Sequence, residues 1–244
     1  MADRCPILWL TLQQFASGRA IRLVGLFALT PIVFALIYLA NPGDAGTTSF
    51  LTSTFTNLLA PTVIPLATLI LATGALGNEI SDRTLVYLYL KPVRRGRIIA
   101  AKLGGAMLPL LTIFGVAVTG MWAIVAVTES VSGRALAALL LATGIGALAY
   151  GALFLLVSLL VSRALVVGVI YILLWESLLT QFIPGIRLLS IRHYTVSIMA
   201  GVLNESATAV ANASGVTTSL IVLGVVVVFA LSLASRRLAT MDLE

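Results

Sequence analysis

The sequence predicts an all-α integral membrane protein with about six transmembrane helices and no large soluble part. Three observations lead there. The 244 residues are 60% hydrophobic and only 10% charged, whereas a soluble domain is nearer one quarter charged, so this chain cannot face water on every side. Apolar stretches, most near the ~20 residues that a helix needs to cross a bilayer, recur between short polar or helix-breaking runs. The basic residues sit at the edges of those stretches, mostly on one side.

Residues 5–19 put Cys5, Leu8, Trp9, Leu12, Phe15 and Ala16 on one helical face, with Gln13, Gln14, Ser17 and Arg19 elsewhere. The segment is too short and polar to span. It suits an elbow helix in the headgroup region, with Trp9 at the interface. A cleaved signal peptide fits poorly, because Met1–Arg4 is weakly basic and no small-residue cleavage site follows. The first span is expected over about 23–40, closed by Asn41-Pro42-Gly43-Asp44. Residues 45–57, rich in Thr and Ser without Lys or Arg, fit an outer loop or the start of the second span, which continues over about 58–76. Pro61 and Pro65 should kink it or loosen its first turn.

The third span covers about 98–127, longer than a crossing needs. A short turn at Thr128-Glu129-Ser130 leads to the fourth, about 135–161, whose Gly144, Gly146, Ala149 and Gly151 would let a neighbouring helix approach closely. Ser162-Arg163 turns into the fifth, about 164–182, which holds Glu176 near its outer end and stops at Pro184-Gly185. Residues 184–215 mix apolar positions with Arg187, Arg192 and His193. They read as an external segment of short helices at or dipping into the outer leaflet, with a polar linker from Asn204 to Gly215. The sixth span covers about 216–234 and ends at Ser235-Arg236-Arg237. The whole of 1–244 is thus one transmembrane domain.

The charges orient this plan. With both termini inside, Arg4, Arg19, Arg22, Arg83, Lys91, Arg94, Arg95, Arg97, Lys102, Arg163, Arg236 and Arg237 fall inside. Arg134, Arg187 and Arg192 fall outside, and twelve plus three accounts for all 15 basic residues. Lys and Arg accumulate in short cytoplasmic loops, so the bias favours this orientation and an even number of spans. The basic residues cluster at span edges, not along one soluble face, so the net charge of +6 does not point to nucleic acid.

One stretch concentrates the charge: residues 77–102, with Glu79, Asp82, Arg83, Lys91, Arg94, Arg95, Arg97 and Lys102 between two long apolar segments. Asn78 to Thr84 offers a helix start, with Ser81 able to cap and Asp82 near the positive end, while Leu85, Leu88 and Tyr89 recur at helical spacing. The plain reading of the basic run is anchoring to anionic lipid at about 1 kcal/mol per residue. The order of its parts also resembles a family. Glu79, then Asp82-Arg83-Thr84-Leu85, an apolar run, Lys91-Pro92-Val93, Arg94-Arg95-Gly96-Arg97, and Lys102 opening the next span look like the membrane subunit of ATP-binding-cassette (ABC) transporters of the type-2 exporter class. The span plan extends the resemblance to most of the chain. The resemblance implies a cytoplasmic coupling helix within 78–97, with Glu79, Asp82, Arg83, Thr84, Leu85, Leu88, Lys91, Arg94 and Arg95 contacting a separate ATPase subunit. It implies two permease chains with two ATPase chains, membrane lipid as surroundings, and ATP and Mg bound by the partner, with no cofactor in this chain.

The sequence carries no G-x-x-x-x-G-K-[ST] loop to cradle phosphate. Its one His and scattered Ser residues suggest no hydrolytic triad, and no metal-ligand cluster or H-E-x-x-H is present. The lone Cys5 forms no internal disulfide. A permease that receives force from a partner fits these absences. A secondary transporter or channel-like protein is the alternative, although such proteins usually place more ionisable residues at mid-membrane. Glu176 is the candidate pathway or external-gate residue, since a charge within a span is costly. Its place near the span end favours a structural reading: snorkelling to the outer surface, or pairing with Arg187 or Arg192. His193 titrates near neutral pH, but beside Arg192 and Tyr194 it reads as an interfacial anchor.

Overall fold

The computed structural model describes residues 19–41, 46–81, 95–179, 184–203 and 213–240, and every regular element among them is helical. In order they are α1 (Arg19–Ala40), α2 (Thr47–Thr54), a π-helical stretch (Phe55–Val63), α3 (Ile64–Ser81), α4 (Arg95–Val125), α5 (Gly133–Leu160), α6 (Ala164–Ile170), a second π-helical stretch (Tyr171–Leu179), a 3-10 turn (Pro184–Leu189), α7 (Ile191–Leu203) and α8 (Val216–Thr240). Five helices are long and apolar enough to cross a membrane: Ala20–Ala40, Thr47–Ala75, Gly96–Val125, Gly133–Leu160 and Val216–Leu238. The sixth expected span, over 164–182, is a shorter apolar helix, Ala164–Glu176, among the described residues. The elbow helix at 5–19 lies outside the described residues.

The second span and α5 form the centre, while α1 and α8 leave most of their apolar residues on the outside. That is the expected distribution in lipid, which is as apolar as leucine and leaves close packing as the force between helices. Small residues on α5 make the approach. A Cβ added at Gly146 would stand 2.7 Å from the Thr195 side chain on α7, and one at Gly151 would stand 2.7 Å from the Met107 Cε on α4. Gly168 on α6 comes closer still to Leu69 on α3. The small stripe seen in the sequence therefore packs against two different helices.

The helix of the second span begins at Thr47, eleven residues before the expected start at 58, so residues 47–57 belong to the span and not to a loop. Ser53 Oγ donates to the Phe50 carbonyl at 3.0 Å, whereas the Thr56 and Thr68 hydroxyls are buried without a partner. Gly46 precedes the first turn and has no side chain to cap it. Glu129, from the turn after α4, accepts from the Thr47 hydroxyl at 2.9 Å and from its N–H at 3.5 Å. The loosening expected from Pro61 takes the form of the π stretch, in which the Ile64 N–H bonds five residues back to the Leu59 carbonyl. Pro31 lies inside α1, which continues past it as an α-helix. It has no N–H for the Phe27 carbonyl, and the Thr30 hydroxyl takes that place at 2.7 Å.

The segment after Pro184 does more than rest at a surface. Helix α7 packs against α5 and α8, and Tyr194 through Ala200 are all buried. Helix α8 runs on to Thr240, six residues past the expected end at 234. Arg236 and Arg237 do not stop it, since cations in a last turn oppose the negative end of the helix dipole.

Candidate functional site

The polar site of the described protein lies where the two π stretches meet the start of α7. Glu176 is completely buried. Three donors converge on its carboxylate: the Tyr171 hydroxyl at 3.0 Å, the Ile191 N–H at 3.1 Å, and the Ser190 hydroxyl in a short bond. Ser190 is also the N-cap of α7, because its Oγ accepts the His193 N–H at 3.2 Å. The Glu176 carboxylate therefore caps the positive end of a helix fourteen residues further along the chain, a role that in a capping box falls to a Glu or Gln on the helix itself. Position 193 in that role is a histidine, and Glu176 supplies the carboxylate from outside.

Arg192 ties the same corner to the second span. Its Nη2 donates to the Thr56 carbonyl at 3.1 Å and its Nη1 to the Glu176 carbonyl at 3.4 Å. Both carbonyls belong to π stretches, where the regular ladder is disturbed and backbone acceptors are left over. Phe154 stacks on Tyr150 and meets Tyr171 edge to face, with ring centroids 5.9 and 6.1 Å apart. The Tyr150 phenol is fully buried within electrostatic reach of Glu176 but has no hydrogen bond of good geometry.

A second cluster adjoins the first. His193 Nε2 lies 3.1 Å from Ser214 Oγ, Ser214 N–H donates to Ser197 Oγ at 3.1 Å, and Ser197 donates to the His193 carbonyl at 2.8 Å. These contacts fix the approach to α8 on the side of α7. Burial, and then the positive charge of Arg187, hold the His193 imidazole below its ordinary value.

No family model and no curated protein matches the chain.

Snorkelling of Glu176 to the outer surface is overturned by its burial. The reason is that α7 folds back over it and offers three donors that water would otherwise provide. Arg192, one of the two expected partners, reaches the backbone of Glu176 through its guanidinium. His193 is an anchor, through its ring and backbone. The other proposed site residues fall elsewhere. Asp82, Arg83, Thr84, Leu85, Leu88, Lys91 and Arg94 lie outside the described residues. Glu79 and Arg95 lie on the last turn of α3 and at the start of α4, with their side chains outside the description. Lys102 is buried on α4. Among the described residues no group of His, Cys, Asp and Glu could hold a metal ion.

Sequence reasoning named Arg192 as a partner of Glu176 but missed Tyr171, Ser190 and Thr56 as parts of the same site. Ser190 carries the one readable signal, a cap residue opening an apolar helix. Tyr171 and Glu176 are five positions apart, a spacing that brings side chains together in a π turn but not in the α-helical i, i+3 or i+4 pattern.

Proposed function

We propose that the chain is the membrane permease subunit of an ATP-driven exporter of the type-2 ABC class. It forms the translocation pathway as a pair, and a separate ATPase subunit binds ATP and Mg and supplies the force. The observation that carries this reading is the ordered charged stretch at 77–102 between two apolar spans, in a chain with no phosphate-cradling loop of its own. The connection supports it physically. Helix α3 ends at Ser81 and α4 begins at Arg95, so a push on the intervening residues acts on two long helices at once. Helices are stiff, and a displacement at their ends moves the far side of the bundle. The same end is cytoplasmic, and the helix over 164–179 makes the sixth crossing, leaving both termini inside.

The test is the double reversal Glu79→Lys/Asp82→Lys. The expected result is loss of ATPase copurification, or ATP hydrolysis no longer stimulated by substrate in reconstituted membranes, while the permease still inserts and pairs. A contact that anchors an interface is worth more than about 1 kcal/mol, enough for copurification to register its loss. Retention of both properties at wild-type level would remove this stretch as the coupling element.

One observation favours a second reading, an ATPase-independent secondary transporter. Glu176 is a carboxylate buried in a short span, and intramembrane carboxylates serve as proton or ion sites in such proteins. Uptake driven by an ion gradient into liposomes holding this chain alone would favour it. A dependence on a copurified ATPase would exclude it.

A further inference from the structure

We propose that the 3-10 turn at Pro184–Leu189 is the floor of a water-filled vestibule, open on the side of the membrane where the second span and α5 begin. Depth is the first observation. Helix α7 starts at Ile191, directly after the turn, and one helical turn further on Thr195 meets Gly146 of α5. Gly146 is thirteen residues past the start of α5 at Gly133, or about 20 Å at 1.5 Å each. Helix α5 has 28 residues, about 12 Å more than a core of about 30 Å requires. With that whole excess outside the core on the starting side, Gly146 still lies about 8 Å below its edge. Gly201, towards the other end of α7, packs on Val216, the first residue of α8. Helix α7 therefore rises from the turn towards the side where α8 starts, and the turn is the deeper end. Arg192 agrees, since its guanidinium reaches the Thr56 carbonyl, nine residues into the second span.

The second observation is that the turn is open at this depth. Leu188 and Leu189 are 59% and 68% exposed, and Arg187 is half-buried. The backbone is not α-helical. The Ser190 N–H bonds three residues back to the Arg187 carbonyl, and the Leu188 carbonyl accepts from the Tyr194 hydroxyl at 2.8 Å. Irregular backbone occurs at membrane depth only where protein buries it or water reaches it, and a charged side chain follows the same rule. The exposed leucines show that no part of this chain buries the turn. Val228 on α8 is also 68% exposed, but it stands on a long regular helix, which hydrocarbon tolerates.

Water and a second copy of the chain remain as cover. Two leucines alone would favour a dry seam. Arg187 decides for water, because a second copy over the turn would take its charge further from solvent at a desolvation cost. The vestibule needs only the fold-back and the bilayer, whatever drives transport.

The test uses the full chain in a Cys5→Ser background, in intact cells and in inverted vesicles, with the single variants Leu188→Cys, Leu189→Cys, Gly215→Cys and Val228→Cys. The probe is a charged, water-soluble methanethiosulfonate. Positions 189 and 228 are equally exposed, so their rates separate water from hydrocarbon, where the reactive thiolate does not form. On the side from which Gly215→Cys reacts, Leu188→Cys and Leu189→Cys are expected to react within about tenfold of its rate, and Val228→Cys more than about a hundredfold more slowly. Rates at 188 and 189 no faster than at 228 would overturn the vestibule. Reaction there only from the side opposite Gly215→Cys would do the same. A disulfide between copies of Leu188→Cys, without reaction towards the reagent, would assign the turn to a subunit contact and overturn it too. Both leucines are exposed, so cysteine removes little packing. If Leu188→Cys fails to insert, Leu189→Cys alone decides.

Discussion

At the scale of single residues, Glu176 decides how the corner between the π stretches and α7 is held. Replacing it by leucine leaves the Ser190 and Tyr171 hydroxyls and the Ile191 N–H buried without their acceptor, and each such group costs ~1–3 kcal/mol. Glutamine keeps the shape and one acceptor oxygen, so Glu176→Gln should lose less stability than Glu176→Leu, with Ser190→Ala costing about 1 kcal/mol as a lost cap. Thermal unfolding of the three variants in one detergent tests this ranking, and equal midpoints would show that the carboxylate is no clamp. Glu176→Gln should also keep transport. Its loss in a folded, assembled complex would place Glu176 in the pathway. His193 gives a pH dependence of definite sign. Its folded value lies below its ordinary 6.5 through burial and then Arg187, so the unfolded chain takes up that proton more readily. The contribution to stability is therefore present above about pH 6.5 and lost as pH falls through the folded value. The wild-type midpoint should drop between about pH 8 and about pH 5.5, and His193→Gln should flatten that drop. A matching drop in the variant would assign the effect to other groups. Glu176 stood out in the sequence as a charge in an apolar run. Of its partners only Arg192 did, because the bonds to Ser190 and Ile191 join positions fourteen and fifteen apart through a fold-back that no local pattern encodes.

At the scale of elements, two helices on the expected outer side begin without a carboxylate of their own and borrow one. Glu129 serves the start of α2, and Glu176 serves the start of α7. In hydrocarbon an unsatisfied helix end costs several kcal/mol, which explains why the second span can start at Thr47 in a polar run that reads equally well as a loop. The span boundaries were otherwise legible, since five long apolar runs lie where the hydropathy puts them. The π stretches were not legible beyond the prolines in the first, because a widened turn leaves the composition unchanged. Helix contacts give a sharper prediction. At Gly146 the obstacle to a Cβ is Thr195, a branched side chain whose hydroxyl is bonded to the Ile191 carbonyl at 2.9 Å. At Gly151 the nearest obstacle is the end of Met107, which is flexible. Alanine gains about 1 kcal/mol over glycine in a helix at either place. Overpacking against a fixed neighbour costs ~1–3 kcal/mol. Gly146→Ala should therefore destabilise the protein and Gly151→Ala should be close to neutral, as read from unfolding midpoints. The reverse order would mean that α7 is less firmly seated than its contacts imply.

For the whole molecule, the open quantity is the number of crossings, and the basic residues do not decide it. If 164–179 crosses, Arg187 and Arg192 lie outside while Arg236 and Arg237 lie inside; if it does not, the two pairs exchange sides and the tally stays twelve to three. Contacts separate the cases. The seven residues of α6 and the nine of the second π stretch reach about 24 Å at most, against a core of about 30 Å. Yet they start directly after α5 ends, pass Leu69 at Gly168, and bring Glu176 level with Thr56, nine residues from the start of the second span. The 3-10 turn and α7 continue from there, and a local thinning of the bilayer covers a mismatch of a few ångströms at modest cost. The end of α8 returns to the end of α5, where Arg236 and Arg237 share a cleft with Leu156 and Leu160. These contacts support the proposed sixth crossing beside the five helices long enough to span. In a Cys5→Ser background, single cysteines at Gly46 and Gly215 should react with an impermeant thiol reagent on intact cells, and cysteines at Gly96 and Ser235 should not. Five crossings would protect Gly215 and expose Ser235, and labelling of Gly96 would invert the orientation on which the coupling stretch depends.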